Sequence, residues 1–141
     1  MTIDNGFKID HPDVFVPWDI EEKQLMKLFN GQRLVNVSTG YYTIDSESLN
    51  GLKCTIGFHF EPRKSGLLKE LEFFRANYTD QVKSYEEFQR HFEQAFGRPT
   101  QTSVGTEGFN DHSWVFAKVS IFHFVFDRFG PEEHMRIKRT V

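Results

Sequence analysis

Six histidines, at positions 11, 59, 91, 112, 123 and 134, are the side chains with the widest chemical range in this sequence. A tetrahedral metal site needs a closed set of nitrogen or sulfur donors at short, regular spacing. No His-x-x-x-His and no helical Glu-x-x-His occurs, and Cys54 is the single cysteine. No metal and no cofactor is expected. Acid–base chemistry has one local candidate, Asp111 beside His112 with Glu107 nearby, in a stretch that reads as a loop. Cys54 as a nucleophile would need an exposed position and a neighbouring base, yet it alternates with the apolar residues of its own strand. There is no Gly-x-Gly-x-x-Gly and no Walker loop, and no helix follows the Gly108–His112 stretch to cradle a phosphate. The predicted catalytic set is empty.

The scaffold that must position these residues is bounded by composition. A chain of 141 residues with 16 phenylalanines is read as one domain, 1–141, with a substantial aromatic core. The net charge of −3 gives no mandate for nucleic acid or membrane, although residues 1–50 hold eight acids and four bases. The N-terminus lacks the basic and apolar regions of a signal peptide, and no apolar run nears the ~20 residues of a membrane span. With one cysteine and no disulfide, a cytoplasmic protein is expected.

Asp19 with Glu22, and Ser84 with Glu87, read as capping boxes opening helices over about 20–30 and 85–96. Residues 1–17 read as an extended lead-in with a short edge strand at Val14–Val16, and Asp45–Gly51 reads as a polar loop. Leu52, Cys54, Ile56, Phe58 and Phe60 alternate with polar partners, the period of a strand with one buried face. A return strand follows at 67–75, and further strands are expected at 114–116, 119–127 and 135–139. Lys53–Gly66 and Lys118–Gly130 resemble one another: each runs Lys-x-(Thr/Ser)-Ile into an acid, an arginine and a glycine. Each Lys follows its N-cap by 34 residues. The expected fold is therefore α+β: two tandem helix-plus-antiparallel-strand repeats, about 17–76 and 82–140, forming one sheet with both helices on one face.

Aligning the two copies separates the faces. Val119, Ile121, His123 and Val125 match the buried row of the first copy, with His123 expected as a hydrogen-bonded structural residue. Ser120, Phe122, Phe124 and Phe126 match the polar row. Phenylalanines on an uncovered face would mark an interaction site; alternatively, residues 1–17 or the 100–110 loop cover them. Arg136 and Lys138 stand near Phe122 and Phe124, a combination that some folds use for single-stranded nucleic acid. The net negative charge opposes that reading, and basic residues protecting an edge strand account for the same pattern.

The tandem layout over residues 17–140, with helix ends at Asn30-Gly31 and Phe96-Gly97-Arg98-Pro99-Thr100, resembles the β-lactamase-inhibitor-protein-like architecture and the small domain of an outer-membrane assembly lipoprotein. The chain departs from those families in lacking an export signal and disulfides, which speaks against an envelope role. The run from Trp114 to Ile137 is similar to small bacterial immunity proteins of the cytoplasm. These resemblances imply a non-enzymatic domain that binds another protein, such as a toxin, through its uncovered sheet face. The predicted contact residues are His59, Phe122, Phe124, Arg136 and Lys138, with no nucleic-acid or membrane partner. Two alternatives stay open: a small-molecule binder or hydrolase using His59, His112 or Glu107, and a structural homodimer.

Overall fold

The computed structural model describes residues 2–75, 80–127 and 131–140. In chain order the elements are β1 (Gly6–His11), β2 (Val14–Pro17), α1 (Glu22–Leu28), β3 (Val35–Ser38), β4 (Tyr41–Ser48), β5 (Leu52–Phe60), β6 (Leu68–Phe74), α2 (Gln81–Phe96), β7 (Gln101–Val104), β8 (Asn110–Val115), β9 (Val119–Asp127) and β10 (Pro131–Arg139). All ten strands join one antiparallel sheet in the order β2-β1-β4-β5-β6-β10-β9-β8-β7, with β3 on the remaining part of β4.

This corrects the expected α+β pair of tandem repeats. Among the described residues the protein is predominantly a single ten-stranded sheet, with two helices of 7 and 16 residues. The equal N-cap spacing also dissolves. The observed caps are Glu21 and Asp80, which lie 32 and 38 residues before Lys53 and Lys118. Asp19 adopts a left-handed φ of 69° and pairs with Arg139 instead of capping. Ser84 lies within α2, buried, where its hydroxyl donates to Glu133 Oε1 at 2.6 Å. In the first of the compared turns, Gly66 N–H donates to the Glu61 carbonyl at 2.8 Å; its proposed counterpart at Arg128–Gly130 lies outside the described residues.

Two further expectations shift. The Asp45–Gly51 loop is mostly strand: β4 runs to Ser48, with Ser46 and Ser48 turned inward, and Leu49, Asn50 and Gly51 reverse the chain at positive φ. The C-terminal strand is not a solvated edge, because β10 lies between β6 and β9. Arg136 stands opposite Glu72 and Lys138 opposite Glu70. Such opposite-charge pairs favour this register over a one-residue slip, which would turn the whole strand over.

Alternation does most of the packing. Ile56, Phe58, Leu71, Phe73, Ile121, Met135 and Ile137 are almost wholly buried on one face. Both helices seat there, Phe29 against Phe58 at 5.6 Å and Phe92 against Phe73 at 5.6 Å and Trp114 at 5.8 Å. Phe88 and Phe92, one helical turn apart, supply the apolar stripe of α2. The Trp114 indole N–H donates to the Gly97 carbonyl at 2.8 Å and ties off the C-terminal end of α2. His91 Nδ1 donates to the Leu49 carbonyl at 2.6 Å, anchoring the β4–β5 turn to the same helix.

Candidate functional site: the open face of the sheet

Successive strand residues point to opposite faces, so the residues between the buried ones form a second surface, which neither helix touches. Its side chains are organised. Gly57 has no side chain, and Tyr41 lies across it: a Cβ there would stand 2.8 Å from Tyr41 Cε1. The Tyr41 ring stacks on His59, centroids 4.4 Å apart and planes 10° from parallel. His59 Nε2 lies 3.0 Å from Glu72 Oε1, and Arg136 Nη2 donates to Glu72 Oε2 at 3.3 Å. Arg136 Nη1 donates to Glu70 Oε2 at 2.9 Å, and Lys138 Nζ stands 3.5 Å from Glu70 Oε1.

The web continues into an aromatic ladder. Arg136 points Nε and Nη2 at His134 Nδ1, at 3.3 and 3.1 Å. A guanidinium only donates, so His134 Nδ1 accepts and the ring proton sits on Nε2. The imidazole stacks on Phe124 at 5.0 Å and on Phe126 at 4.7 Å. Burial, reinforced by the Arg136 charge, pushes the His134 pKa down. The hydrogen bond from His59, with Arg136 close by, holds Glu72 below the usual carboxylate range despite its partial burial. Burial and the Glu72 charge raise the Tyr41 phenol.

All five predicted contact residues lie on this surface. His59, Arg136 and Lys138 belong to the web, Phe124 to the ladder, and Phe122 stands opposite Arg136. Phe122 and Phe124, with Thr100–Ser103 and Asp111–Ser113, line a groove of about 840 Å³. Tyr41, Glu70, Glu72 and His134 complete the arrangement but were not among the predicted contacts. Alternation in residues 41–47 is the signal that would have pointed to Tyr41.

The hydrolase constellation is not assembled. His59 is on β5 and His112 on β8, with β6, β10 and β9 between them, and His112 is on the helix-bearing face. There His112 Nδ1 meets Thr102 Oγ1 at 3.0 Å, and burial lowers its pKa. Glu107 lies in the β7–β8 turn. Cys54 is buried, which pushes its thiol up to about 12.

A second polar cluster is sealed under α2. His123 Nε2 lies 2.5 Å from Glu133 Oε2, and the two side chains are 0% and 1% exposed. His123 Nδ1 meets Gln89 Oε1 at 2.8 Å, the Tyr85 ring stacks on the imidazole at 4.3 Å, and Ser84 and Gln81 both donate to Glu133 Oε1. Sealed in this way, the pair ties α2 to β9 and β10.

An apolar cavity of about 720 Å³ lies among Ile3, Phe7, Phe15, Phe96 and Phe116. Its charged neighbours are already engaged, Asp4 with the Lys118 N–H and Lys8 with Asp13. Among the described residues no three His, Cys, Asp or Glu side chains converge as a metal site, and no helix is long and apolar enough to cross a membrane. No protein-family model matches the chain, and comparison with curated proteins and with solved structures gives no match.

Proposed function

We propose that this chain is a non-enzymatic protein-binding domain, a cytoplasmic inhibitor or immunity protein that neutralises a bacterial toxin by covering its active site. The observation that carries the binding reading is the row Phe122, Phe124 and Phe126, half-buried on the face away from both helices and bordered by Arg136 and the His134 stack. Aromatic residues and arginine are the side chains that dominate protein–protein contacts. The toxin assignment draws on the likeness of the Trp114–Ile137 run to immunity proteins. The hydrolase alternative loses ground because His59 and His112 sit on opposite faces.

Immobilised wild-type chain and a Phe122→Ser/Phe124→Ser variant are compared for capture from the native cell. The variant should retain its circular dichroism spectrum and lose affinity by about 30-fold or more, the weight of a single hot-spot residue. Undiminished capture by the folded variant would remove this surface from the proposal. A dimeric mass for the wild type and a monomeric mass for the variant would assign the face to a second copy of the chain.

A further inference from the structure

The open face also states a preference for the sign of its partner, an inference that rests on the docking role just proposed. Across β4, β5, β6, β8, β9 and β10 it presents six carboxylates (Asp45, Glu47, Glu70, Glu72, Asp111 and Glu132) against three fixed cations, Lys53, Arg136 and Lys138. The whole sequence has 20 acids and 17 lysines and arginines. This one surface therefore holds an excess of three negative charges, equal to that of the entire chain, and the remainder is balanced.

The second observation is local. Glu70 and His134 are each 9% exposed, both lie on this face, and each has a buried polar atom without a hydrogen-bond partner, Glu70 Oε1 and His134 Nε2. The nearest opposite charges, Lys138 Nζ and the Glu132 carboxylate, stand 3.5 Å away in each case. A buried polar atom left short of a partner costs free energy until something supplies one. Glu70 Oε1 can only accept, and the half-exposed Lys138 that stands over it is on a flexible stem. A guanidinium entering there would satisfy both Glu70 and the excess of charge around it.

We propose that the occupant of this face is a basic protein surface, an apolar ridge seated on Phe122 and Phe124 and flanked by arginine or lysine that approaches Glu70 and the outer carboxylates Asp45, Glu47 and Asp111. The field repels phosphate, so nucleic acids and anionic membranes are disfavoured. The carboxylates steer the encounter, and the aromatic row holds the complex once formed.

Two synthetic peptides of equal length serve as probes, one alternating Arg with Trp and one alternating Glu with Trp, read by fluorescence anisotropy. The Arg–Trp peptide should bind about tenfold or more tightly than the Glu–Trp peptide, and added salt should erode the difference. Asp45→Lys/Glu47→Lys/Asp111→Lys should abolish the preference, and the milder Asp45→Asn/Glu47→Gln/Asp111→Asn should halve it or better, with folding checked by circular dichroism. Equal affinity for both peptides, binding of neither, or a preference indifferent to both triple variants would overturn the inference. Phe122→Ser/Phe124→Ser separates the two levels. If the face docks partners but not basic ones, this variant weakens both peptides alike; if the face does not dock partners at all, it leaves their binding unchanged.

Discussion

The two faces of one sheet treat histidine and glutamate in opposite ways. Under α2, His123 and Glu133 meet at 2.5 Å with essentially no exposure, and Gln89, Ser84 and Gln81 take up their remaining capacity. On the open side, His134, Glu70 and Glu72 share one arginine, and Glu70 Oε1 and His134 Nε2 are left without hydrogen-bond partners. A saturated network specifies packing and has nothing to offer a ligand; an unsaturated one on an accessible face retains capacity.

That contrast can be broken by substitution. Glu133→Leu strands the His123 and Ser84 donors in the core and should cost about 3–5 kcal/mol in urea unfolding. His123→Leu/Glu133→Leu should recover much of that loss, because replacing both partners removes the stranded imidazole N–H. Arg136→Met severs the open web at its centre but leaves its acids near water, Lys138 and His59, so about 1–3 kcal/mol is expected. If Arg136→Met costs as much as Glu133→Leu, the open web is as structural as the sealed one.

Smaller effects sharpen the comparison. Gly57→Ala pushes a methyl into the Tyr41 ring, which can swing outward; about 1 kcal/mol is expected, with altered Tyr41 and His59 resonances as the readout. Acidification should act through His134 on the open face, together with His112 on the other, whose pKa burial also lowers. The His134 pKa is depressed from 6.5, so the unfolded chain takes up this proton first and stability falls as pH drops below that value. Glu72, depressed from 4.5, adds a further loss as pH falls through its folded-state pKa. His134→Phe should flatten the first part of the unfolding profile; an unchanged profile would place the sensitivity elsewhere. Cys54 should show no effect on the open face at all. With its thiol pushed up to about 12 under the helices, native chain at pH 8 should react with a thiol dye at least about a hundredfold more slowly than denatured chain.

How much of this was legible depended on range. Period-2 alternation is local, so β5 and β9 were readable, and with them the division that sets Val119, Ile121, His123 and Val125 apart from Phe122 and Phe124. The second half of β4, from Asp45 on, was obscured because Ser46 and Ser48 occupy inward positions, where the Ser46 hydroxyl finds the Cys54 carbonyl at 3.1 Å. Strand adjacency leaves no local mark: nothing near Arg136 announces that Glu70 and Glu72 lie alongside it. The two-repeat reading failed for a related reason. It rested on Asp19 and Ser84 as caps, whereas the chain begins its helices at Glu21 and Asp80 and spends Ser84 on the buried carboxylate of Glu133.

The position of β10 has a consequence for biosynthesis. It follows the other nine strands in sequence, yet β6 and β9 both depend on it for a neighbour. Until residues 131–139 are docked, these two strands present bare edges, Phe73 and Ile121 lack their partners Met135 and Ile137, and the sheet is two unjoined pieces. Completion of the fold thus waits on a closing strand, and chains that stop short of it would carry two open, apolar edges into a crowded cell.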